Sequence, residues 1–217
     1  MHLEVASFEG NPNLGLFSTA TDSFCISGSS RFAKLASEIL KVPHHEVLVS
    51  ASRAIGIFTA ANSNGIIVPH ITEKAEIAEF KKLGINVCML KTKETAFGNL
   101  ITLNDKGCIM SPYLLPYKKE IFDCFGCEVV IASIAGLDLV GSSCVATNKG
   151  FLAHRDCTER EFKIIEDVLK IKGEIGTANF GSPFVGAFIV ANSNGFIASE
   201  QTTGPELARI DEALGFL

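Results

Sequence analysis

The chain has 217 residues, 47% of them apolar, and a mean hydropathy of +0.30, so it has material for a deep core and no stretch that reads as disordered. A formal net charge of −5 argues against a binder that works by neutralising many nucleic-acid phosphates, but leaves room for a partner that is a basic protein. Seven cysteines, an odd count, suit a reducing compartment better than a disulfide framework, and neither a secretory leader nor a membrane span is expected.

In chain order, residues 3–8 read as a strand. Leu14-Gly15 then opens a phrase that recurs: an apolar residue, Gly, an apolar run, an Asn-bearing turn, a second Gly nine positions after the first, and another apolar run. This first copy is weak, with Phe24 where the second Gly should fall, and a helix follows near residues 30–41. The second copy is Ile55-Gly56 to Asn62-Ser63-Asn64-Gly65. Its runs 56–61 and 66–68 read as strands flanking a tight turn, for which Asn and Gly would supply positive φ. A helix over 73–83 and a third strand over 85–90 complete the unit. The third copy, Phe97-Gly98 to Asn104-Asp105-Lys106-Gly107, precedes a helix near 116–125. The fourth, Val140-Gly141 to Asn148-Lys149-Gly150, precedes a capping box of Thr158 and Glu161, whose helix aligns Phe162, Ile165 and Leu169 on one face. In the fifth, Val185-Gly186 to Asn192-Ser193-Asn194-Gly195, the capping register falls on Thr203 and Glu206.

The first glycines, 15, 56, 98, 141 and 186, mark a repeat of about 43 residues, too short to bury its own core. The units must pack on one another, and the ends favour a ring: the fifth copy stops where its third strand should begin, while residues 3–8 supply a spare strand. The sequence therefore predicts an α/β fold of five pseudo-symmetric ββαβ-type repeats closed by the N-terminal strand. It would be one domain over 1–217, with repeats at approximately 4–45, 46–92, 93–134, 135–178 and 179–217.

The repeat also gauges the cysteines. Cys25 and Cys108 occupy a slot filled elsewhere by Ile66, Phe151 and Phe196. Cys144 replaces Thr59, Ile101 or Ile189, and Cys88 and Cys127 fall among strand residues, so five of the seven read as core. The pair Cys124-x-x-Cys127 straddles a helix end without a second pair, and His154 with Cys157 gathers no further ligands, so a metal or redox site is not expected.

With the units in register, Val5-Ala6-Ser7-Phe8-Glu9, Gly65-Ile66-Ile67-Val68-Pro69, Thr102-Leu103-Asn104-Asp105, Ser133-Ile134-Ala135-Gly136 and the run 139–150 together resemble the translation initiation factor 6 family over essentially the whole chain. The length is similar to the archaeal form. The resemblance implies a pentein-like β/α-propeller. It also implies a cytoplasmic protein that binds the inter-subunit face of the large ribosomal subunit, contacting ribosomal protein L14 near the sarcin–ricin loop of the rRNA, and so keeps the small subunit away during initiation or subunit maturation. No cofactor, metal, catalytic residue, membrane or DNA is implied, and a monomer is expected.

Equivalent hairpins of a ring lie on one side, so the turns at 62–64, 104–106, 148–149 and 192–194 should form a polar rim. Candidate ribosome-binding residues are Arg53, Asn62, Asn64, Asn104, Asp105, Lys106, Asn148, Lys149, Asn192 and Asn194, with Asn104, Asp105 and Arg53 first. The plain readings are a satisfied turn for each Asn and a solvated surface charge for Arg53. Two other functions stay open. One is an amidino-group-modifying enzyme of the same fold, using a Cys nucleophile; the histidines at 2, 44, 45, 70 and 154 lack an acid–base setting for it, and the fifth unit has no cysteine. The other is a protein-binding ring with a non-ribosomal partner.

Overall fold

Each repeat folds because its hairpin is too small to stand alone and its helix must return the chain to start a parallel third strand. The computed structural model describes residues 1–217. After β1 (Leu3–Ala6), the first unit holds β2 (Ser18–Ala20), β3 (Cys25–Ser27) and β4 (His44–Glu46). The second holds β5 (Ala60–Ala61), β6 (Gly65–Pro69) and β7 (Asn86–Leu90), and the third β8 (Ile101–Leu103), β9 (Gly107–Met110) and β10 (Glu128–Ile131). The fourth holds β11 (Cys144–Ala146), β12 (Gly150–His154) and β13 (Lys172–Gly176), and the fifth β14 (Ile189–Asn192) and β15 (Gly195–Ser199). In the first four sheets the hairpin is antiparallel and the last strand parallel to its neighbour. In the fifth, β1 takes the third place, parallel to β15 with Leu3 opposite Phe196 and Ala6 opposite Ser199. The expected ring closure is therefore present. Asp211 beyond β15 reinforces it, its carboxylate 2.7 Å from His2 Nε2, while the His2 ring stacks on Phe216 at 5.0 Å.

No unit owns a core. Ala60, Ile67 and Leu90 of the second unit pack with Phe97, Leu114 and Phe125 of the third. Val190 and Ile197 of the fifth pack with Leu14, Phe32 and Ile39 of the first. The other clusters likewise bridge neighbours, and one fully buried Phe, Phe80, Phe125, Phe151 or Phe196, anchors several of these seams. Burying such a ring stabilises by about 1.5–3 kcal/mol, so each seam is held by more than either unit could gather alone.

The structure corrects the sequence reading in three places. The run 56–61 is not all strand: Ile55–Phe58 forms one helical turn before the short β5, and Leu14–Phe17, Phe97–Leu100, Val140–Ser143 and Val185–Ala187 do the same. These five turns meet around the axis. A Cβ on Gly56 would collide with the carbonyl of Gly15, one on Gly98 with that of Gly56, and so on through Gly141 and Gly186 back to Gly15, so the first glycines form a closed cycle of close approaches. The second glycines do not adopt positive φ. Gly65, Gly107 and Gly150 instead abut backbone carbonyls near the end of the next unit's helix, at Cys124, Val168 and Ala213. Finally, the first unit's helix is irregular, running from a 3-10 turn (Ser30–Phe32) through Ala33–Leu35 into a π turn (Ala36–Leu40), and the third begins with a 3-10 segment, Pro112–Tyr117. No helix is long and apolar enough to cross a membrane.

Candidate functional site

The ring has two ends. The hairpin tips and helix C-termini gather at one; the helical turns and helix N-termini gather at the other. At the tip end, Asn62, Asn104 and Asn192 are 2%, 5% and 2% exposed. Each Oδ1 accepts two N–H groups of its own turn, from Asn64 and Gly65, Lys106 and Gly107, and Asn194 and Gly195. Each Nδ2 donates to two carbonyls of the following unit: Asn104 and Phe125 for Asn62, Thr147 and Leu169 for Asn104, Thr21 and Leu40 for Asn192. These three side chains are buried and staple unit to unit, their polar atoms spent on bonds within the ring. In the first and fourth units Thr21 and Thr147 take the same place, and their hydroxyls accept the turn N–H groups without reaching the neighbour.

Asp105 and Asn148 are half-buried and join a network across the tip end. The Asn148 Nδ2 donates to Asp22 at 2.8 Å and Asp105 at 2.6 Å, while Ser193 donates to Asp22 and Ser63 to Asp105 through both backbone and hydroxyl. Asn64 and Asn194 add donors to the carbonyls of Phe125 and Leu40. Lys106 and Lys149 are exposed, Lys106 reaching the Asn148 carbonyl at 3.2 Å and Lys149 lying over the Phe216 ring at 5.1 Å. Asp22 and Ser193, absent from the sequence candidates, belong to this network; their counterparts beside the turn Asn and Thr were the available signal.

Arg53 lies at the other end. It precedes the helical turn Ile55–Phe58, follows the far end of β4, and pairs with Glu9 at 3.3 Å beside Arg31. It therefore does not share a surface with Asn104 and Asp105, as the sequence candidates required. This end is built on left-handed turns: Ser50 and Ala51, Ala135 and Gly136, and Asn179 to Gly181 all have positive φ. The capping-box glutamates hold three of them. Glu76 accepts the N–H groups of Ser50 and Ala51, both at 2.8 Å; Glu161 accepts that of Gly136; Glu206 accepts those of Phe180 and Gly181. Burial pushes each of these carboxyls up, but the N–H donors outweigh it and hold them below the usual range. The boxes were readable at 158–161 and 203–206; their second task, clamping the turn that enters the same unit, was not.

Around the axis at this end lies an open depression of about 380 Å³ to which every unit contributes, among them Leu16, Ile57, Asn99, Leu139 and Phe184. Leu139 is 42% exposed, and Phe180, four residues before Phe184, is 83% exposed. Elsewhere, burial pushes the thiols of Cys25 and Cys144 up to about 12 and those of Cys127 and Cys157 to about 11. Cys88, half-buried beside the Cys124 thiol, is instead held below the usual thiol value by that thiol. No group of three or more His, Cys, Asp or Glu side chains could hold a metal.

The architecture is a closed, pentein-like ring of five ββαβ-type units with a stapled polar end and an open apolar one. The eIF-6 family profile matches residues 3–213, and the chain belongs to that family. It is 41% identical over 227 residues to translation initiation factor 6 of Pyrococcus horikoshii, covering 100% of both chains. It is 41% identical to that of Methanococcus vannielii over 97% of each, and 37% identical to that of Methanocaldococcus jannaschii over 97% of this chain and 96% of the other. A solved dimethylarginine dimethylaminohydrolase from Pseudomonas aeruginosa aligns with a TM-score of 0.47 at 11% identity, over 92% of this chain and 71% of that one, a likeness too distant to bear on activity.

Proposed function

We propose that the protein is a translation initiation factor that binds the inter-subunit face of the large ribosomal subunit and, by occupying it, prevents the small subunit from joining. The similarity to translation initiation factor 6 along the whole chain supports the reading, and ribosomal protein L14 near the sarcin–ricin loop is the partner that the resemblance implies. The observation that carries the choice of surface is the apolar depression on the helical-turn end, where Leu139 and Phe184 stand exposed around the axis. Cores of protein interfaces are apolar and poor in charge, with a polar rim. On the same end, Arg31 and Arg53 pair with Glu9 through exposed contacts weak enough to be exchanged for a partner's carboxylate. At the tip end the buried Asn staples leave only Asn64, Lys106, Lys149 and Asn194 as projecting candidates.

Sedimentation with isolated large subunits tests this. The wild-type protein should co-migrate and reduce joining by small subunits. Leu139→Asp should abolish co-migration while Lys149→Glu leaves it intact. The reverse pattern would move docking to the tips, and no co-migration of the wild-type protein at low salt would refute the ribosomal reading.

A further inference from the structure

On the same end of the ring, between the second and third units, an open groove of about 510 Å³ is lined by His70, Met89, Lys91, Thr92, Lys93 and Tyr117. The groove forms because three chain segments leave their strands at this level: His70 follows β6, Lys91 to Lys93 follow β7, and Tyr117 closes the 3-10 segment after β9. Its electrostatics run against the rest of the chain. The protein is acidic overall, yet no acidic residue lines the groove, and neither Lys91 nor Lys93 is paired with any carboxylate. Thr92 is buried between them, its hydroxyl accepting the Glu94 N–H, so the two lysines flank it as exposed residues. The Tyr117 hydroxyl donates to the Lys91 carbonyl at 2.9 Å, which holds the phenol against the lysine-bearing segment.

We propose that this groove binds a single-stranded RNA segment, with phosphates on Lys91 and Lys93 and bases against the Tyr117 and His70 rings. Unpaired ammonium groups beside planar rings are what an RNA strand uses, since phosphates take the charge and bases take the π-faces. An acidic peptide would use the charges alone. The inference rests on the ribosomal reading in that the RNA would be ribosomal, and the groove opens at the same end of the ring as the surface assigned above to docking.

Fluorescence anisotropy of a labelled oligouridylate with the purified protein, over a salt series, tests it. Replacing both lysines (Lys91→Gln with Lys93→Gln) should weaken binding roughly tenfold or more at 0.1 M salt and make the slope of log affinity against log salt shallower by about 1.4. Tyr117→Phe, which keeps the ring, should bind nearly as the wild type does. Unlabelled polyglutamate should compete poorly. An unchanged salt slope in the double variant, equal competition by polyglutamate, or no binding by the wild-type protein at low salt would each overturn the proposal. Because the oligonucleotide assay contains no subunits, its failure alongside normal co-sedimentation would remove the groove and leave the docking reading standing.

Discussion

Asn104→Ala separates a stabilising staple from a binding residue. Asn104 is 5% exposed and makes four hydrogen bonds: its Nδ2 donates to the Thr147 and Leu169 carbonyls, both at 3.0 Å, and its Oδ1 accepts from Lys106 and Gly107 at 2.9 and 3.0 Å. Each bond contributes about 1 kcal/mol net, and buried groups left unpaired cost more, so truncation should destabilise by about 3–5 kcal/mol. For a chain of this length that is a fall in Tm of roughly 6–20 °C. The internal repeat supplies a graded control. Asn104→Thr recreates the arrangement at Thr147, which keeps the turn acceptor and loses the donors to the neighbour, and should cost about 1–3 kcal/mol. Lys106→Ala, at the exposed tip of the same turn, should stay within about 0.5 kcal/mol of wild type. Urea denaturation followed by circular dichroism measures all three. Asn104→Ala unfolding at the wild-type midpoint, or Thr costing as much as Ala, would refute the staple.

Other consequences can be checked on the same purified protein. Gly98→Ala drives a methyl group into the Gly56 carbonyl at the axis and should cost at least about 2 kcal/mol in denaturant titrations, a wild-type midpoint contradicting the axial packing. Glu76, Glu161 and Glu206 have folded-state pKa values held below the ordinary 4.5. Their stabilisation is therefore present above that pH and is lost as pH falls through the lowered values; Glu206→Gln should flatten the acid limb of a Tm-against-pH curve. His44 and His154, lowered from 6.5 chiefly by burial, add stability above pH 6.5 that declines as acid protonates them, so a Tm rising on acidification from pH 7 to 5 would contradict that sign. Native alkylation should modify Cys88 first and leave Cys25, Cys108 and Cys144 untouched until the protein unfolds, as mass spectrometry of partly labelled protein would reveal.

The ring was legible because its glycines are contact points that must recur wherever two backbones approach. Counting from Gly56 and Gly65 located the units, the spare strand at 3–8 and most of the buried cysteines. What those glycines do was less legible. Four-residue apolar runs such as 55–58 fit a helical turn as well as a strand, so periodicity could not choose between them. The setting of the polar candidates was less legible for a different reason. A turn Asn reads the same whether it faces water or a carbonyl in the next unit, and the deciding acceptors, Thr147 and Leu169 for Asn104, lie 43 and 65 residues away. Arg53 stood out because no other copy has it, but uniqueness within the repeat does not say which end of the ring a loop occupies. Leu139 and Phe184 gave no signal as surface residues, since apolar side chains beside a core turn read as core.

The pairing of β1 with β15 has a consequence for the order in which the protein can mature. Leu3 leaves the synthesising ribosome well before its strand partner, Phe196, which is made some 190 residues later. An open solenoid can settle repeat by repeat as it emerges. Here the seam between the fifth and first units, with Leu14, Phe32 and Ile39 on one side and Val190 and Ile197 on the other, stays unsealed until the fifth unit has been made. Folding is thus tied to completion of the ring, and a chain stalled before residue 196 would present an unpaired strand and half of an apolar seam, the kind of surface that chaperones and proteases read.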